Sequence, residues 1–251
     1  MGREWPRTAC TGDRFRGGAV NARYEFKVPC DPAQLSEIAA WVRLHPMHWR
    51  VSYPPRQVNN VYFDSPDLQD LNANLSGVGR REKLRLRWYG PDVTRIFGAQ
   101  LELKCKDGLV GWKEQAFFDG DLDMTRSLWP ALLSALRAGL DGRARLWLDR
   151  RAGPVLINTY QRAYYETPDG LLRLTLDTQL CAYEQRFSLL PNLSRPVLQS
   201  EQMVMELKAP VDDAATQRLS QILVSFPARV DRFSKYLHGV LGSVDFEGLL
   251  A

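Results

Sequence analysis

Residues 81–89 read REKLRLRWY, and charged and apolar side chains alternate along this stretch. Successive side chains of a β-strand point to opposite faces of a sheet, and one face here carries Lys83, Arg85 and Arg87. The opposite face carries leucine and tryptophan. The stretch therefore predicts a strand that separates a strongly cationic face from a hydrophobic one.

The same alternation recurs along much of the chain. It predicts further strands at residues 23–28, 58–64, 99–106, 111–118, 155–166, 171–178 and 203–208. Serine and threonine, which are common on solvent-facing strand surfaces, are scarce on the charged faces. These faces instead carry Lys and Arg with interspersed Glu, namely Glu25, Lys27, Glu102, Lys104, Lys113, Arg173, Glu206 and Lys208.

Amphipathic helices are predicted to accompany these strands, at residues 32–45, 66–75, 124–140, 212–226 and 233–241. Such helices can cover the apolar faces of the strands and leave the charged faces together inside. We therefore expect an α+β fold, a closed antiparallel barrel of about eight strands with helices packed outside and a lumen that can hold a small ligand. The alternative is an ordinary sheet with solvated charged faces and Glu–Lys pairs between its strands.

The composition argues against several classes of protein. The net charge of +4 is modest, and the basic residues lie among acids rather than on one stripe, which disfavours a nucleic-acid binder. The four cysteines include no CxxC pair, and no apolar run has the length of a membrane span. We expect a cytoplasmic protein with a polar tail at residues 1–20 and one domain at residues 21–251.

Cations crowded inside a barrel would repel one another unless a polyanion neutralised them. A chain of phosphates meets this need, because Arg offers a planar fork and Lys a point charge to phosphate oxygens. The interspersed glutamates could hold Mg²⁺ or Mn²⁺ against the same oxygens. The aromatic residues Tyr62, Phe63, Trp88 and Tyr89 are expected in the core rather than as a platform for a nucleobase.

Short motifs in a recognisable order carry a family resemblance. They are RYEFK at 23–27, YFD at 62–64, KLRLRWY at 83–89, LELKCK at 101–106, YQRAYY at 160–165, RLTLD at 173–177, MELK at 205–208 and FSKY at 233–236. Over residues 21–241 the chain resembles the VTC (vacuolar transporter chaperone) domain, the polyphosphate polymerase branch of the CYTH-like triphosphate tunnel metalloenzymes. The resemblance implies an eight-stranded tunnel barrel that transfers the γ-phosphate of ATP to a growing polyphosphate chain with Mn²⁺ or Mg²⁺.

The resemblance also implies roles for the charged residues. Catalytic roles are implied for the cations Arg85, Arg87, Lys104, Arg162 and Arg173, and phosphate binding for Lys27, Lys113 and Lys235. Lys83 and Lys208 share the charged faces of their strands with these residues and are expected to bind phosphate as well. Glu206 would be a metal ligand, with Glu25 and Glu102 as further candidates. The implied partners are ATP and polyphosphate, with phosphate, pyrophosphate or triphosphate as analogues, and a membrane or protein partner is left open.

Two positions depart from the family pattern. The hydrolase branch opens with ExExK, whereas Arg23 stands here at the first Glu, which removes one carboxylate and favours the polymerase branch. Gln115 stands where a further basic residue is often found. Two alternatives stay open: an inorganic or nucleoside triphosphatase, which needs a metal-activated water, and a module that binds polyphosphate without turning it over.

Overall fold

The computed structural model describes residues 22–151, 153–228, 231 and 233–242. The tail predicted at residues 1–20 lies outside these residues, as does the end of the domain predicted at residues 21–251.

The strands form one antiparallel sheet. They are β1 (Arg23–Cys30), β2 (Arg50–Asp64), β3 (Arg80–Tyr89), β4 (Arg95–Asp107), β5 (Val110–Asp123), β6 (Gly153–Glu166), β7 (Arg173–Glu184), β8 (Leu198–Ser200) and β9 (Met203–Pro210). Every strand predicted from alternation is present, and several are longer than predicted. The largest extension is in β2, whose first half, residues 50–57, was not predicted as strand.

Helices connect or follow these strands. They are α1 (Leu35–Leu44), α2 (Gln69–Leu75), α3 (Trp129–Ala138), α4 (Gly142–Arg150), α5 (Asp213–Ser225) and α6 (Lys235–Leu241). Asp212 caps α5 by accepting a 2.7 Å hydrogen bond from the Ala215 amide. The predicted helix at 124–140 begins only at Trp129, because β5 and a turn occupy the preceding residues. Helix α4 was not predicted.

The sheet closes on itself. Strands pair in the order β6-β2-β3-β4-β5-β1-β9-β7, and β6 also pairs with β7, so that these eight strands form a ring. Strand β8 lies outside the ring, on the edge of β7. The shortest pairing joins β1 to β5 through Arg23 with Gly111 and Tyr24 with Val110. The predicted closed eight-stranded antiparallel barrel is confirmed.

The apolar faces of the strands point outward, and helices cover them. On one side Leu84, Leu86 and Trp88 of β3 pack in a cluster that includes residues of α3 and α4. On the other side the apolar residues of β1, β7 and β9 pack with α1 and α5. Each fully buried leucine stabilises this arrangement by about 2 kcal/mol. The hydrophobic core therefore lies outside the ring and leaves its interior to the charged faces.

None of the helices in the described ranges has both the length and the apolarity needed to cross a membrane.

Candidate functional site

The charged faces of the strands meet inside the ring. Lys104 on β4 donates to both oxygens of Glu25 on β1, at 2.7 and 2.8 Å, although β5 lies between these strands. Arg87 on β3 donates to the hydroxyl of Tyr160 on β6 at 3.0 Å, across β2. Side chains can bypass an intervening strand in this way only on the concave face of a closed sheet. The predicted inward orientation of the cations is therefore observed, and we call this inner face the lumen.

Glu102 organises three cations on one wall of the lumen. Its side chain is only 1% exposed, and it accepts hydrogen bonds from Arg85 at 2.6 and 2.8 Å and from Lys113 at 2.6 Å. Arg87 lies 3.8 Å away. Burial raises the pKa of Glu102, but the neighbouring cations, Arg85 first, outweigh burial and hold it well below the usual range. Glu102 is thus a carboxylate whose oxygens are already occupied by cations.

Glu25 and Glu206 lie together on the opposite wall. The β1–β9 register sets Glu25 against Lys208 and Lys27 against Glu206. Glu25 lies 3.1 Å from Lys27, and Glu206 lies 2.5 Å from Lys208. Burial and the charge of Glu206 raise the pKa of Glu25, but the lysines outweigh them and keep it far below the usual range. Burial likewise opposes ionisation of Glu206, and Lys208 and Lys27 reverse the balance.

The donor set for a divalent metal is small. Among residues 22–151, 153–228, 231 and 233–242, no three His, Cys, Asp or Glu side chains are grouped so that they could hold a metal ion. Glu25 and Glu206 are ionised and adjacent, and Mg²⁺ is commonly bound by one or two carboxylates together with substrate phosphates. All three glutamates pair with cations, but only Glu25 and Glu206 of the three lie beside each other, so these two could hold a metal that substrate phosphates also bind.

Helix α6 sends polar side chains into the lumen. Lys235, its first residue, donates to Asp177 on β7 at 2.5 Å. Arg162 on β6 donates to the same carboxylate at 2.6 Å and lies 3.6 Å from Glu206. Ser234, the N-cap of α6, accepts a 2.9 Å hydrogen bond from Lys83. Arg162 and Lys235 thus share the Asp177 carboxylate, and Lys83 is held at the start of the same helix.

Burial disfavours the charged form of two lysines of the lumen. Lys83 has no carboxylate within ion-pair distance among the described residues, and burial, then Lys27 and Lys104, hold its pKa well below the usual value. Burial lowers the pKa of Lys104 to about 7, against the attraction of Glu25. A bound anion would therefore favour the charged form of both lysines.

Arg173 stands apart from the other predicted site residues. It pairs with Lys208 in the β7–β9 register, so it continues the lumen face, but its side chain is exposed. The structure places the remaining predicted residues on the lumen face in neighbouring ion-pair groups, with Lys83 opposite Lys104 in the β3–β4 register: Lys27, Lys83, Arg85, Arg87, Lys104, Lys113, Arg162, Lys208, Lys235, Glu25, Glu102 and Glu206.

Several lumen residues were not predicted. Asp177 was not assigned a role from the sequence. Tyr62 is buried in an apolar cluster, as expected, and its hydroxyl also accepts a 3.3 Å hydrogen bond from Arg85. Thr175 Oγ1 and Asn158 Nδ2 are buried without a hydrogen-bond partner among the described residues. Tyr160 and Asn158 lie on the same face of β6 as Arg162, because they are two and four residues before it. The alternation rule could therefore have placed both in the lumen.

Comparison with solved structures found distant similarities. A protein from Hippeastrum, described as an adenylyl cyclase candidate with a dominant triphosphatase activity, is 17% identical, with coverage of 89% of this chain and 96% of that chain and a TM-score of 0.48. A protein from Vibrio parahaemolyticus described as an adenylate cyclase candidate is 13% identical, with coverages of 84% and 94% and a TM-score of 0.45. A chain of the Schizosaccharomyces pombe Mediator head module is 10% identical, with coverages of 84% and 98% and a TM-score of 0.47. These values are too low to bear on function.

The comparison with curated proteins found no match. The comparison with family models matched the VTC domain over residues 22–243, which is nearly the whole chain and includes every charged residue of the lumen described above. The ordered motifs, the closed barrel and this match agree, and the chain belongs to the VTC domain family.

Proposed function

We propose that this protein is a polyphosphate polymerase, which transfers the γ-phosphate of ATP to a growing inorganic polyphosphate chain in the lumen. The observation that carries the proposal is the placement of Lys83, which lies opposite Lys104 in the β3–β4 register and, among the described residues, hydrogen-bonds to the Ser234 hydroxyl and to no carboxylate. Buried like charges repel one another, and a bound chain of phosphates would remove that repulsion. A cytoplasmic location with access to ATP suits this function.

Phosphoryl transfer depends mainly on positioning and on stabilisation of negative charge. Arg85 and Arg87, held by Glu102, would present guanidinium groups to the nucleotide phosphates. Lys104 and Arg162 would neutralise charge on the transferring phosphoryl group.

The acceptor is the terminal phosphate of polyphosphate. Its oxygen bonds to the γ-phosphorus while the bond from that phosphorus to the β,γ-bridging oxygen breaks, and ADP leaves with the electron pair. Because the attacking oxygen is already anionic, this transfer needs no general base.

A divalent metal is part of the proposal. Glu25 and Glu206 would hold Mg²⁺ or Mn²⁺ together with phosphate oxygens, and the ion would offset negative charge on those oxygens. The lysines beside these carboxylates would keep them ionised and oriented in the absence of the ion.

Product analysis tests the proposal. Purified protein with ATP and Mn²⁺ should release ADP and form long phosphate chains, resolved by gel electrophoresis. Arg95→Ala is a matched control, because Arg95 pairs with Asp121 and both are exposed to solvent. Free phosphate without chains would overturn the polymerase assignment in favour of a triphosphatase. Neither product, together with tight polyphosphate binding, would indicate a binding module.

A triphosphatase is the second candidate. The adjacency of Glu25 and Glu206 favours it, since a metal held there could activate a water against a terminal phosphate. In that case inorganic triphosphate would be consumed without ATP, whereas a polymerase would extend it only when ATP is supplied.

A further inference from the structure

Arg56 lies among three tyrosine rings at one end of the lumen. The carbon of its guanidinium group is 3.9 Å from the centroid of the Tyr89 ring, 5.1 Å from that of Tyr164 and 5.6 Å from that of Tyr53. Its Nε also donates to the Tyr164 hydroxyl at 3.2 Å. We call these four residues the Arg56 cluster.

The backbone of β2 explains how the Arg56 cluster forms. The β2–β6 register is regular from Arg56, opposite Arg162, to Tyr62, but it shifts between Tyr53 and Arg56. Pro54 and Pro55 occupy the shifted positions, and proline cannot donate to the ladder. Tyr53 is therefore still opposite Tyr164, and their rings meet edge to face at 5.8 Å.

The Arg56 cluster continues the phosphate-facing surface of the lumen. Tyr89 is two residues beyond Arg87 on the same face of β3, which is about 7 Å along the strand. Tyr164 is likewise two residues beyond Arg162 on β6. The cluster is thus the next layer after the arginines that we assign to the nucleotide phosphates.

The Arg56 cluster is partly open to solvent. Tyr53 is 45% exposed and Tyr89 is 39% exposed, so the expectation that Tyr89 packs in the core was wrong. Aromatic rings and guanidinium planes are the groups on which nucleobases stack.

We propose that the Arg56 cluster is a nucleobase-stacking site, which holds the base of a nucleoside triphosphate at the mouth while its phosphates extend into the lumen. This inference rests on the proposed function, because it assumes that the lumen takes a phosphate chain. Stacking tolerates different bases, so the site distinguishes nucleoside triphosphates from inorganic triphosphate and favours the larger purine rings over pyrimidines.

Calorimetric titration with ATP and with inorganic triphosphate tests the site. The double variant Tyr53→Leu/Tyr89→Leu removes two rings while it keeps apolar bulk and every charge. Stacking of one base on aromatic side chains corresponds to a loss of about tenfold or more in affinity when the rings are removed. We expect that loss for ATP and an unchanged affinity for inorganic triphosphate, which also reports that the variant is folded. Tyr89→Phe retains the ring and should bind ATP like the wild type.

The possible results separate the inference from the proposed function. If wild-type protein binds inorganic triphosphate but the double variant loses no ATP affinity, or loses affinity for both ligands equally, the stacking site is refuted. If wild-type protein binds neither ligand, the phosphate-binding lumen itself is refuted and the stacking site with it. Equal affinity of wild-type protein for purine and pyrimidine nucleotides would remove the stated preference for purines.

Discussion

Lys104 on β4 holds both carboxylate oxygens of Glu25 on β1 from across an intervening strand, at 2.7 and 2.8 Å. The lysine is nevertheless poorly compensated, since burial lowers its pKa to about 7. This ion pair therefore connects two walls of the lumen. Lys104, with a pKa near neutral pH, also faces the proposed path of the phosphate chain.

Affinity for inorganic triphosphate should decrease as the pH rises above about 7. The anion binds the charged form of Lys104 and therefore raises the pKa of this lysine. Where Lys104 is uncharged in the free protein, binding of the anion is accompanied by uptake of one proton. The expected decrease approaches tenfold per pH unit, measured by calorimetry between about pH 6 and about pH 9. Lys104→Arg should flatten this dependence, since arginine stays charged. An equally steep slope in the arginine variant would exclude Lys104 as its cause.

Stability of the ligand-free protein should change with pH in the opposite sense. The pKa of Lys104 is lower in the folded protein than the ordinary value of 10.5, so the unfolded chain binds more protons between about pH 7 and about pH 10. The free energy of unfolding should therefore rise with pH over this interval, as far as Lys104 and Lys83 are concerned. Urea unfolding of Lys104→Met and wild type at several pH values isolates the contribution. The wild-type curve should rise relative to that of the variant, and a falling difference would contradict the sign.

Lys83→Met should stabilise the free protein and weaken phosphate binding. The charge of Lys83 is half-buried near Lys27 and Lys104, and its one described hydrogen bond goes to Ser234. We expect about 1 kcal/mol more stability in urea unfolding and about tenfold lower affinity for triphosphate. Lys113→Met is the contrasting variant, because it removes a partner of Glu102 at 2.6 Å and should not be stabilising. If Lys83→Met lowered the free energy of unfolding, repulsion of Lys83 by Lys27 and Lys104 would not be a net cost to the folded protein.

Glu102→Gln should act on the fold rather than on metal use. The substitution leaves Arg85 and Lys113 without their buried carboxylate, which should cost about 3 kcal/mol in the free energy of unfolding. The Mn²⁺ concentration needed for half-maximal activity should stay unchanged. Glu206→Gln should raise that concentration, since we assign Glu206 to the metal. A raised Mn²⁺ requirement in Glu102→Gln instead would make Glu102 a metal ligand.

Arg85→Ala and Glu206→Ala should each abolish turnover in a protein that still folds but is less stable, because each substitution leaves a charged partner in the lumen unpaired. Loss of one group that stabilises developing charge costs about a hundredfold or more in kcat. Steady-state release of ADP measures the effect, and circular dichroism checks the fold. Arg95→Ala, outside the lumen, should retain full activity. Substantial turnover in either lumen variant would contradict the site assignment.

Alternation along single strands was enough to predict the barrel and most of the charged lumen. The reason is physical: a strand with cations on one face and leucine or tryptophan on the other, such as residues 83–88, has one stable way to bury the apolar face. Lys104 and Glu206 were placed correctly by the same rule. The family resemblance added Lys235, which lies on a helix and has no alternation to reveal it.

Features that depend on pairing between distant strands were not predictable in this way. Pro54 and Pro55 are untypical of a strand, so the first half of β2 was not predicted. The register shift at these prolines places Tyr53 and Arg56 at the mouth of the lumen. The role of Glu102 depends on which cations the closed ring brings around it. Asp177 received no role, because its partners Arg162 and Lys235 lie on other elements.

A crystal of the protein with inorganic triphosphate and Mn²⁺ tests the central claim most directly. Phosphate density inside the ring, within hydrogen-bonding distance of Arg85, Lys104 and Arg162, is the predicted result. Phosphate bound only on the outer surface, with those side chains still paired to Glu102, Glu25 and Asp177, would contradict it.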